Sequence, residues 1–323
     1  MTIIVTGGSG FIGTNIMDYY LKKNLKIFNF DIKPPQKKEH VEYWQKVDVA
    51  DYKDICRLFK IIKPKYIIHL AARTDLGGKD YEDYSVNVKS VENLIKICKE
   101  CTEIKRVIFA STMLVNKTGH NPKNLLNYNA NTLYGQSKVV GENIILNSKD
   151  LSADKCIIRP TSIWGEWFGE PYKNFFDFVL NGKYFHPGGN SCKKTFGYVG
   201  NSVYQIDKLL FADPEKINNK IFYIGDRPSV NISKWADEIS SLAKVKKPMK
   251  IPLFFFILLA FLGDFLNKLG FKFPMTSYRL KNMTTDQVYN LDDTYNVCGN
   301  PPFDRKSAIK QTLKWISHKK STQ

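Results

Sequence analysis

Short apolar runs along the chain alternate with segments in which apolar residues recur every three or four positions. The first pattern predicts buried β-strands, and the second predicts amphipathic helices. Such alternation over the first half of the chain is typical of a parallel sheet with helices on both faces, so we predict an α/β fold. The predicted strands are 2–6, 26–30, 43–47, 65–70, 105–111 and 154–159, and the predicted helices are 11–23, 51–61, 82–101 and 131–148.

The alternation ends at Pro160. Farther along, Ile221–Ile224 followed by Gly225-Asp226 repeats the strand pattern, and we predict that it adds one more strand to the sheet. We therefore assign residues 1–160, with this later strand, to the sheet domain, and 161–323 mainly to a smaller, interleaved substrate-binding region. The predicted elements at the start of that region are a helix near 174–181 and loops at 164–171 and 182–194.

The most apolar stretch of the chain is Leu253–Leu262. It is shorter than the roughly 20 residues that a bilayer span requires, so we expect no stable membrane insertion. We predict a buried helix, with contact at a membrane surface as the alternative.

The charge balance is strongly basic, with 48 Lys and Arg against 31 Asp and Glu and a net charge of +17. Such a balance favours anionic partners, among them phosphorylated small molecules, nucleic acids and acidic membrane surfaces. The lysines are spread along the whole chain and no nucleic-acid-binding motif accompanies them, so we predict no nucleic-acid partner.

The six cysteines do not show the spacing of a disulfide framework. Cys98 and Cys101 form a CxxC pair, but they lie in a predicted helix and no second pair or histidine cluster completes a metal site. We predict that they pack in the core and that the protein binds no metal. The chain begins inside its first predicted strand without a signal peptide, and we therefore expect a cytoplasmic location.

A glycine-rich turn, Thr6-Gly7-Gly8-Ser9-Gly10-Phe11-Ile12-Gly13, joins the first predicted strand to the first predicted helix. Glycine permits a tight turn at position 7, approach of phosphates at position 10 and close packing of helix on strand at position 13. The second predicted strand is followed by Asp31, where a carboxylate can accept hydrogen bonds from a ribose. The sequence thus predicts a dinucleotide-binding βαβ unit, as in a Rossmann fold.

Candidate chemistry lies at Tyr134 and Lys138, which are four residues apart and share one helix face. An ammonium group beneath a phenol favours the phenolate and lowers the pKa of the tyrosine towards the range useful for proton transfer. Thr112 follows the predicted strand 105–111, at the carboxyl edge of the sheet where ligands bind in open α/β folds.

Taken together, these motifs resemble the extended short-chain dehydrogenase/reductase family of nucleotide-sugar epimerases and dehydratases. The resemblance spans nearly the whole chain. It rests on TGGSGFIG at 6–13, Asp31, Asp48-Val49, His69-Leu70-Ala71-Ala72, Asn87, Ser111-Thr112, YGQSK at 134–138 and RPTSIWG at 159–165.

The resemblance implies NAD as cofactor, with Tyr134 as acid/base, Lys138 lowering its pKa and binding the nicotinamide ribose, and Thr112 binding the substrate oxygen. The acid at Asp31 is the feature that favours NAD, whereas Lys33, Lys37 and Lys38 nearby leave NADP as an alternative. The implied cofactor-binding residues are Gly7, Gly10, Phe11, Ile12, Gly13, Asp31, Asp48, Val49, Leu70, Ala71, Ala72, Tyr134 and Lys138.

Several positions depart from the family pattern. Dehydratases of the family carry Asp and Glu after the catalytic Thr, but this chain has Met113 and Leu114, so we do not predict dehydration. Ser162 replaces a common substrate-binding Asn. Lys194 stands where relatives often have Arg, and it keeps the charge for a substrate diphosphate without bidentate geometry. Arg279 is a second candidate for that diphosphate.

Other motif residues have a structural interpretation. We predict that His69 is a structural contact near the cofactor rather than a base, and that Arg159-Pro160 ends a strand and supports the cofactor site. Trp164 and Trp167 are predicted to pack their loop, with stacking on a nucleotide base as the alternative.

The resemblance therefore implies an NAD-dependent nucleotide-sugar enzyme, and we predict a 4-epimerase that works through a transient 4-keto intermediate. The alternatives are an NAD(P)H-dependent 4-keto-sugar reductase, a non-catalytic dinucleotide sensor and a membrane-associated dehydrogenase of the hydroxysteroid type. A homodimer formed through the predicted helices 82–101 and 131–148 is a further possibility that the family suggests.

Overall fold

The computed structural model describes residues 1–149, 151–188, 192–271 and 273–321, so part of the predicted loop 182–194 lies outside the described residues. The strands are β1 (Thr2–Thr6), β2 (Lys26–Asp31), β3 (Trp44–Lys46), β4 (Tyr66–His69), β5 (Arg106–Ala110), β6 (Asp154–Pro160), β7 (Ser162–Trp164), β8 (Phe185–Pro187), β9 (Lys193–Lys194), β10 (Phe196–Tyr198), β11 (Lys220–Ile224), β12 (Val230–Asn231) and β13 (Met249–Ile251). The helices are α1 (Phe11–Lys22), α2 (Tyr52–Ile62), α3 (Ser85–Glu100), α4 (Leu133–Asn147), α5 (Tyr172–Leu180), α6 (Val199–Phe211), α7 (Pro214–Ile217), α8 (Ile232–Ala243), α9 (Leu253–Lys268), α10 (Ser277–Thr284), α11 (Asp292–Cys298) and α12 (Arg305–Ser321).

Seven strands form the central sheet in the order β11-β6-β5-β4-β1-β2-β3. All of its neighbouring strands run parallel. The order reverses between β1 and β4, as in a doubly wound Rossmann sheet, which confirms the predicted α/β fold. The later strand predicted at 221–224 is confirmed as β11, and Ile221 pairs there with Ile157 of β6.

The chain folds into two compact units, which we call unit 1 and unit 2. Unit 1 comprises residues 1–168, 197–225 and 290–303, and it contains the whole seven-stranded sheet. Unit 2 comprises residues 169–196, 226–289 and 304–323.

The core of unit 1 lies between the sheet and its flanking helices. Ile4, Ile67 and Phe109 are buried in it, as expected for strands covered on both faces. Cys98 belongs to the same core and Cys101 packs against it, which confirms the predicted packing role of this pair. Among the described residues, no group of His, Cys, Asp and Glu side chains has the arrangement of a metal site.

Unit 2 has an aromatic core of its own. The indole ring of Trp235 on α8 stacks on Phe175 of α5 at 4.9 Å and meets Phe176 edge-on at 5.5 Å. Arg305 of α12 forms a bidentate ion pair with Glu238 of α8, with N–O distances of 2.6 and 2.7 Å. Helices α5, α8 and α12 are therefore joined by ring packing and by charge.

Helix α9 contains the apolar stretch 253–262, as the sequence predicts, but the prediction that it is buried is wrong. Phe256, Ala260 and Gly263 are its buried residues. Phe256 and Ala260 pack on Leu280 of α10, while most of the remaining apolar side chains face outward. Unit 2 covers one stripe of this helix, since the packing partners lie on one side. No helix in the described parts of the chain has the length and hydropathy to cross a membrane.

Candidate active site

The glycine-rich turn connects β1 to α1 and is shaped by close backbone contacts. Gly7 has a φ of +74°, and a Cβ at this position would lie 2.7 Å from the backbone nitrogen of Ala71, so only glycine fits. A Cβ on Gly13 would overlap the carbonyl oxygen of Gly7. These contacts agree with the tight turn and the close helix–strand packing predicted from the sequence.

The N-terminus of α1 is suited to an anion. The first N–H groups of a helix have no partner within it, and no side chain caps α1 at Gly10. A Cβ built on Gly10 meets only the carbonyl oxygen of Gly7, at 3.2 Å, so the space above it is open. The helix dipole and the N–H groups at Phe11 and Ile12 therefore favour a bound phosphate.

Asp31 lies beside this turn at the end of β2. Its carboxylate accepts hydrogen bonds from the backbone N–H of Ser9 at 3.1 Å and of Lys33 at 2.9 Å. Two carboxylate oxygens have further lone pairs for ribose hydroxyls. Lys37 forms an ion pair with Asp18 at 2.6 Å, whereas Lys33 and Lys38 are exposed.

The remaining predicted cofactor residues follow β3 and β4. Asp48 is exposed, and its carboxylate accepts a hydrogen bond from Ala50 N–H at 2.9 Å. Val49 is buried, and its carbonyl oxygen accepts a hydrogen bond from the Asn93 amide at 3.0 Å. Leu70 N–H donates to the carbonyl oxygen of Thr6, so the Leu70-Ala71-Ala72 segment is next to the glycine turn. An open glycine cradle with an acid beside it fits a dinucleotide.

Thr112 and Tyr134 meet at the carboxyl end of β5. Thr112 caps a short 3-10 helix, Met113–Val115, and its hydroxyl oxygen accepts a hydrogen bond from Leu114 N–H at 3.2 Å. The Thr112 side chain is close enough to the Tyr134 phenol to lower its pKa by hydrogen bonding, and both residues are buried. The structure therefore brings the predicted substrate-binding hydroxyl to the predicted acid/base.

Lys138 lies one turn after Tyr134 on α4, and its Nζ donates to the carbonyl oxygen of Ala110 at 2.9 Å. Burial lowers the pKa of Lys138 to about 8, although the charge of Glu142 raises it in part. Burial also raises the pKa of Tyr134 to about 12, against the lowering effect of its hydrogen bond with Thr112. The net shift of the Tyr134 pKa is upward, because removal of the phenol from water dominates, and the role of Lys138 in lowering this pKa stays a prediction.

The sequence analysis did not identify Glu142, which lies one turn beyond Lys138 on the same helix face. Its carboxylate binds the guanidinium of Arg159 through two N–O contacts of 2.8 and 2.6 Å. Arg159 is fully buried, and it also donates to the Tyr223 hydroxyl and the Leu125 carbonyl oxygen. The four-residue spacing of Lys138 and Glu142 was the sequence signal that could have identified Glu142 as part of the site. Arg159 thus supports the site through α4, in line with its predicted supporting role.

Two further motif residues connect elements beneath the site. The Asn87 amide donates to the Ser137 hydroxyl at 2.9 Å and accepts from Arg73 N–H at 2.8 Å, so it joins α3, α4 and the segment after β4. His69 is buried with Nδ1 2.7 Å from the Thr6 hydroxyl and Nε2 3.2 Å from the Ser90 hydroxyl. Burial lowers the pKa of His69 to about 3, so its ring is neutral and structural.

Ser162 is buried near Thr112, since its hydroxyl lies 3.9 Å from the sulfur of Met113. Trp164 is also buried and packs on Tyr198 at 5.4 Å, which matches the packing interpretation. Trp167 is partly exposed and has a φ of +69°.

The two candidates for a substrate diphosphate are in unit 2. Lys194 in β9 is buried, and burial lowers its pKa while Cys192 and Asp286 raise it. Arg279 on α10 is exposed and donates to the carbonyl oxygen of Pro274 at 2.7 Å.

Comparison with known proteins identifies a family and several relatives of this chain. The model of the NAD dependent epimerase/dehydratase family matches residues 3–225. The N-acetyl-alpha-D-glucosaminyl-diphospho-ditrans,octacis-undecaprenol 4-epimerase of Escherichia coli O157:H7 is 26% identical, over 97% of this chain and 94% of that protein. The 3 beta-hydroxysteroid dehydrogenase/Delta 5-->4-isomerase of Mycobacterium tuberculosis (strain CDC 1551 / Oshkosh) is 25% identical, over 96% of this chain and 89% of that protein.

Among solved structures, the UDP-glucose 4-epimerase of Thermotoga maritima with UDP-glucose has a TM-score of 0.76 to this chain. The two are 18% identical, and the match covers 100% of each chain. At this identity the likeness shows a shared fold.

Proposed function

The chain belongs to the NAD-dependent epimerase/dehydratase family, and on this premise we propose that it is a 4-epimerase of a nucleoside diphosphate sugar. The observation that carries the proposal is the buried set of Thr112, Tyr134 and Lys138, at the same carboxyl edge of the sheet as the glycine turn. The relative from Escherichia coli O157:H7, which is named as a 4-epimerase, supports this reaction.

We assign the dinucleotide to the cradle described above. The N–H groups at Phe11 and Ile12 would bind the pyrophosphate, for which Gly10 leaves space, Asp31 would bind the adenosine ribose, and Asp48-Val49 would contact the adenine. A carboxylate at position 31 disfavours a 2′-phosphate, so NAD is the proposed cofactor. Leu70, Ala71 and Ala72 line the cradle, and Tyr134 and Lys138 bind the nicotinamide ribose.

The chemistry supplied by NAD when bound is reversible hydride transfer at C4 of the sugar. The Thr112 hydroxyl orients the C4 oxygen towards the Tyr134 phenol. In the first half-reaction the tyrosine oxygen accepts the hydroxyl proton as the carbonyl forms. In the second half-reaction the phenol returns a proton to the carbonyl oxygen, after the ketone has presented its other face.

The pKa of Tyr134 determines which of its two proton transfers is unfavourable at neutral pH. With a pKa of about 12, the phenol holds its proton at neutral pH and is ready to donate to a carbonyl oxygen. Accepting a proton from a hydroxyl requires the phenolate, which the nearby positive charge of Lys138 favours. Dehydration is disfavoured, because the positions of the family's acid and base carry the apolar side chains of Met113 and Leu114.

A second candidate function is the same 4-epimerisation on a sugar that is attached to a different carrier. The relative from Escherichia coli O157:H7 has a polyprenyl diphosphate in the name of its substrate, and it matches nearly the full length of this chain. Nucleoside and polyprenyl carriers share a diphosphate, for which Lys194 and Arg279 are the proposed partners. Ser162 is proposed to contact the sugar.

The test begins with protein purified without added cofactor, from which denaturation releases any dinucleotide for mass spectrometry. Near-stoichiometric NAD is expected, because an epimerase recovers its hydride in every turnover. UDP-glucose, UDP-N-acetylglucosamine and N-acetylglucosaminyl-diphospho-undecaprenol are then supplied, and inversion at C4 is followed by NMR.

Three outcomes oppose the proposal. Retained NADP, or consumption of NADH in step with product, supports a 4-keto-sugar reductase. Tightly bound dinucleotide without turnover of any of these sugars supports a sensor. Oxidation of a 3β-hydroxysteroid at a comparable rate supports the hydroxysteroid interpretation.

A further inference from the structure

Helix α9 in unit 2 presents a continuous apolar surface, which we call the α9 face. The face consists of Phe254, Phe255, Leu258, Phe261, Leu262 and Phe265, whose exposed fractions range from 47 to 66%. Residues 254, 258, 261 and 265 are spaced by four, three and four positions, so they line one side of the helix. An exposed apolar patch of this kind marks an interaction surface.

The polar side chains of α9 do not interrupt this face. The Asp264 carboxylate accepts a hydrogen bond from Ser277 N–H at 3.1 Å, and the side-chain amide oxygen Oδ1 of Asn267 accepts one from Phe273 N–H at 3.1 Å. A Cβ on Gly263 would overlap the carbonyl oxygen of Met275, so the returning chain presses directly on the helix there. The helix is thus anchored at Asp264, Asn267 and Gly263 as well as at Phe256 and Ala260, and the six residues of the α9 face are directed away from unit 2.

Basic residues flank the face. From residue 244 to residue 284 the sequence has eight Lys or Arg and one acidic residue, Asp264. Lys246, Lys247 and Lys250 immediately precede the helix and are exposed, as is Lys268 at its end. Apolar side chains bordered by cations match the boundary between lipid headgroups and acyl chains.

The charge pattern also distinguishes between possible occupants of the face. A second copy of the chain would bring the same basic flanks against these lysines, and each copy carries a net charge of +17. Helix α9 has 16 residues and is therefore about 24 Å long, with its apolar side chains along its side. This arrangement suits a helix that lies in the plane of a membrane surface.

We propose that unit 2 docks on an anionic phospholipid bilayer through the α9 face, with the flanking lysines at the headgroups. The docking does not depend on the proposed reaction, because it uses a surface of unit 2 that contains none of the candidate catalytic residues. It provides a means for a protein of this family to work at a membrane without spanning it.

The first test is co-sedimentation of the full chain with vesicles of phosphatidylcholine mixed with phosphatidylglycerol. We expect binding to these vesicles, and a loss of affinity of about a hundredfold or more in the triple variant Phe254→Ser, Phe261→Ser and Phe265→Ser. The matched control is Val41→Ser, Ile61→Ser and Leu126→Ser, which removes apolar side chains of similar exposure from unit 1 and leaves vesicle binding unchanged.

The second test concerns charge. Replacing Lys246, Lys247 and Lys250 with Gln is expected to weaken binding to the anionic vesicles by about tenfold or more, and raised salt has the same effect on the unaltered chain. Replacing the exposed Lys53, Lys60 and Lys65 with Gln serves as the control and changes binding little.

Circular dichroism checks that each variant retains its fold, and sedimentation velocity without lipid reports its mass. The proposal is overturned if the folded wild type does not bind anionic vesicles, or if the triple variant binds them with the same affinity as the wild type. It is also overturned if the wild type self-associates without lipid and the triple variant does not, because the face is then an interface between copies.

Discussion

Helices α4 and α9 have nearly the same length, 15 and 16 residues, but opposite relations to water. In α4 the polar residues Tyr134, Ser137, Lys138 and Glu142 are buried. In α9 the phenylalanines and leucines are largely exposed. Lysine and glutamate are rarely fully buried without partners, and large apolar patches are rarely left in water. Polar side chains are usually exposed and large apolar side chains usually buried. Each helix reverses this rule at the residues where we infer contact with another molecule.

The two helices differ in how the protein compensates for these unfavourable exposures and burials. The buried charges of α4 have protein partners, with Glu142 bound by Arg159 and Lys138 donating to a backbone carbonyl oxygen. The exposed side chains of α9 have no such cover within the described part of unit 2. Substitution of these buried groups of α4 or of their partners should therefore change stability or turnover strongly, whereas substitutions on the α9 face should change neither.

A large effect on stability is expected for Arg159→Met. This substitution leaves the Glu142 carboxylate buried without its cation, so the free energy of unfolding should fall by about 3–5 kcal/mol. Urea denaturation measures the change. The control is Arg57→Met, which breaks an ion pair with Asp54 at the surface and should cost no more than about 0.5 kcal/mol. Equal losses for the two variants would contradict the importance of the buried pair.

For Tyr134→Phe we expect turnover to fall about a thousandfold, because the proton donor and acceptor is lost. The content of NAD and the free energy of unfolding should stay close to those of the wild type. Steady-state kinetics with the sugar substrate provides the measurement, and the exposed Tyr81 changed to Phe provides the control. Turnover at the wild-type rate would exclude Tyr134 as the acid/base.

Lys138→Met should abolish most turnover, but its effect on stability should depend on pH. The lysine has a pKa of about 8 in the folded chain and an ordinary value of 10.5. The unfolded chain therefore binds more protons between these values, and wild-type stability rises with pH across this interval. Below pH 8 the buried ammonium group destabilises the folded state by about 3 kcal/mol. This destabilisation disappears by pH 10.5.

Relative to the variant, the wild type should thus gain about 3 kcal/mol of stability between pH 8 and pH 10.5. Denaturation of both proteins at several pH values tests this. Lys89→Met, at an exposed position of α3, should show no comparable dependence. A constant difference between wild type and Lys138→Met would mean that the buried ammonium is not penalised.

The smallest effect is expected on the α9 face. Phe261 is 66% exposed, and Phe261→Ala should change the free energy of unfolding by no more than about 0.5 kcal/mol. Phe256 lies on the buried stripe of the same helix, and Phe256→Ala should cost about 3–5 kcal/mol. Thermal or urea denaturation without lipid compares the two. Similar costs would show that the α9 face is covered by protein.

Local chemistry explains which features could be predicted from the sequence. The turns at Gly7 and Gly13 follow from steric requirements of neighbouring backbone, and the structure has these contacts. The strands of the sheet follow from continuous apolar runs. The pKa of Tyr134 could not be predicted from its spacing to Lys138, because it depends on how completely the fold removes the phenol from water.

The exposure of α9 and the ion pair of Glu142 with Arg159 were missed for a related reason. Hydrophobicity indicates where a side chain is more stable, but it does not indicate whether the chain provides a surface to cover it. The partner of Glu142 is 17 residues away in β6, so helical periodicity gives no sign of it. Long-range pairing of this kind depends on the assembled sheet.

The position of β11 at the end of the sheet affects how the protein is made. Strand β6 ends at Pro160, and the strand that covers its outer edge begins at Lys220, about 60 residues later. Ribosomes add about 5–20 residues per second, so a nascent chain carries this uncovered edge for about 3–12 seconds. Open strand edges recruit other chains. The growing polypeptide therefore passes through an interval of aggregation risk, in which a chaperone at the exit tunnel would protect it.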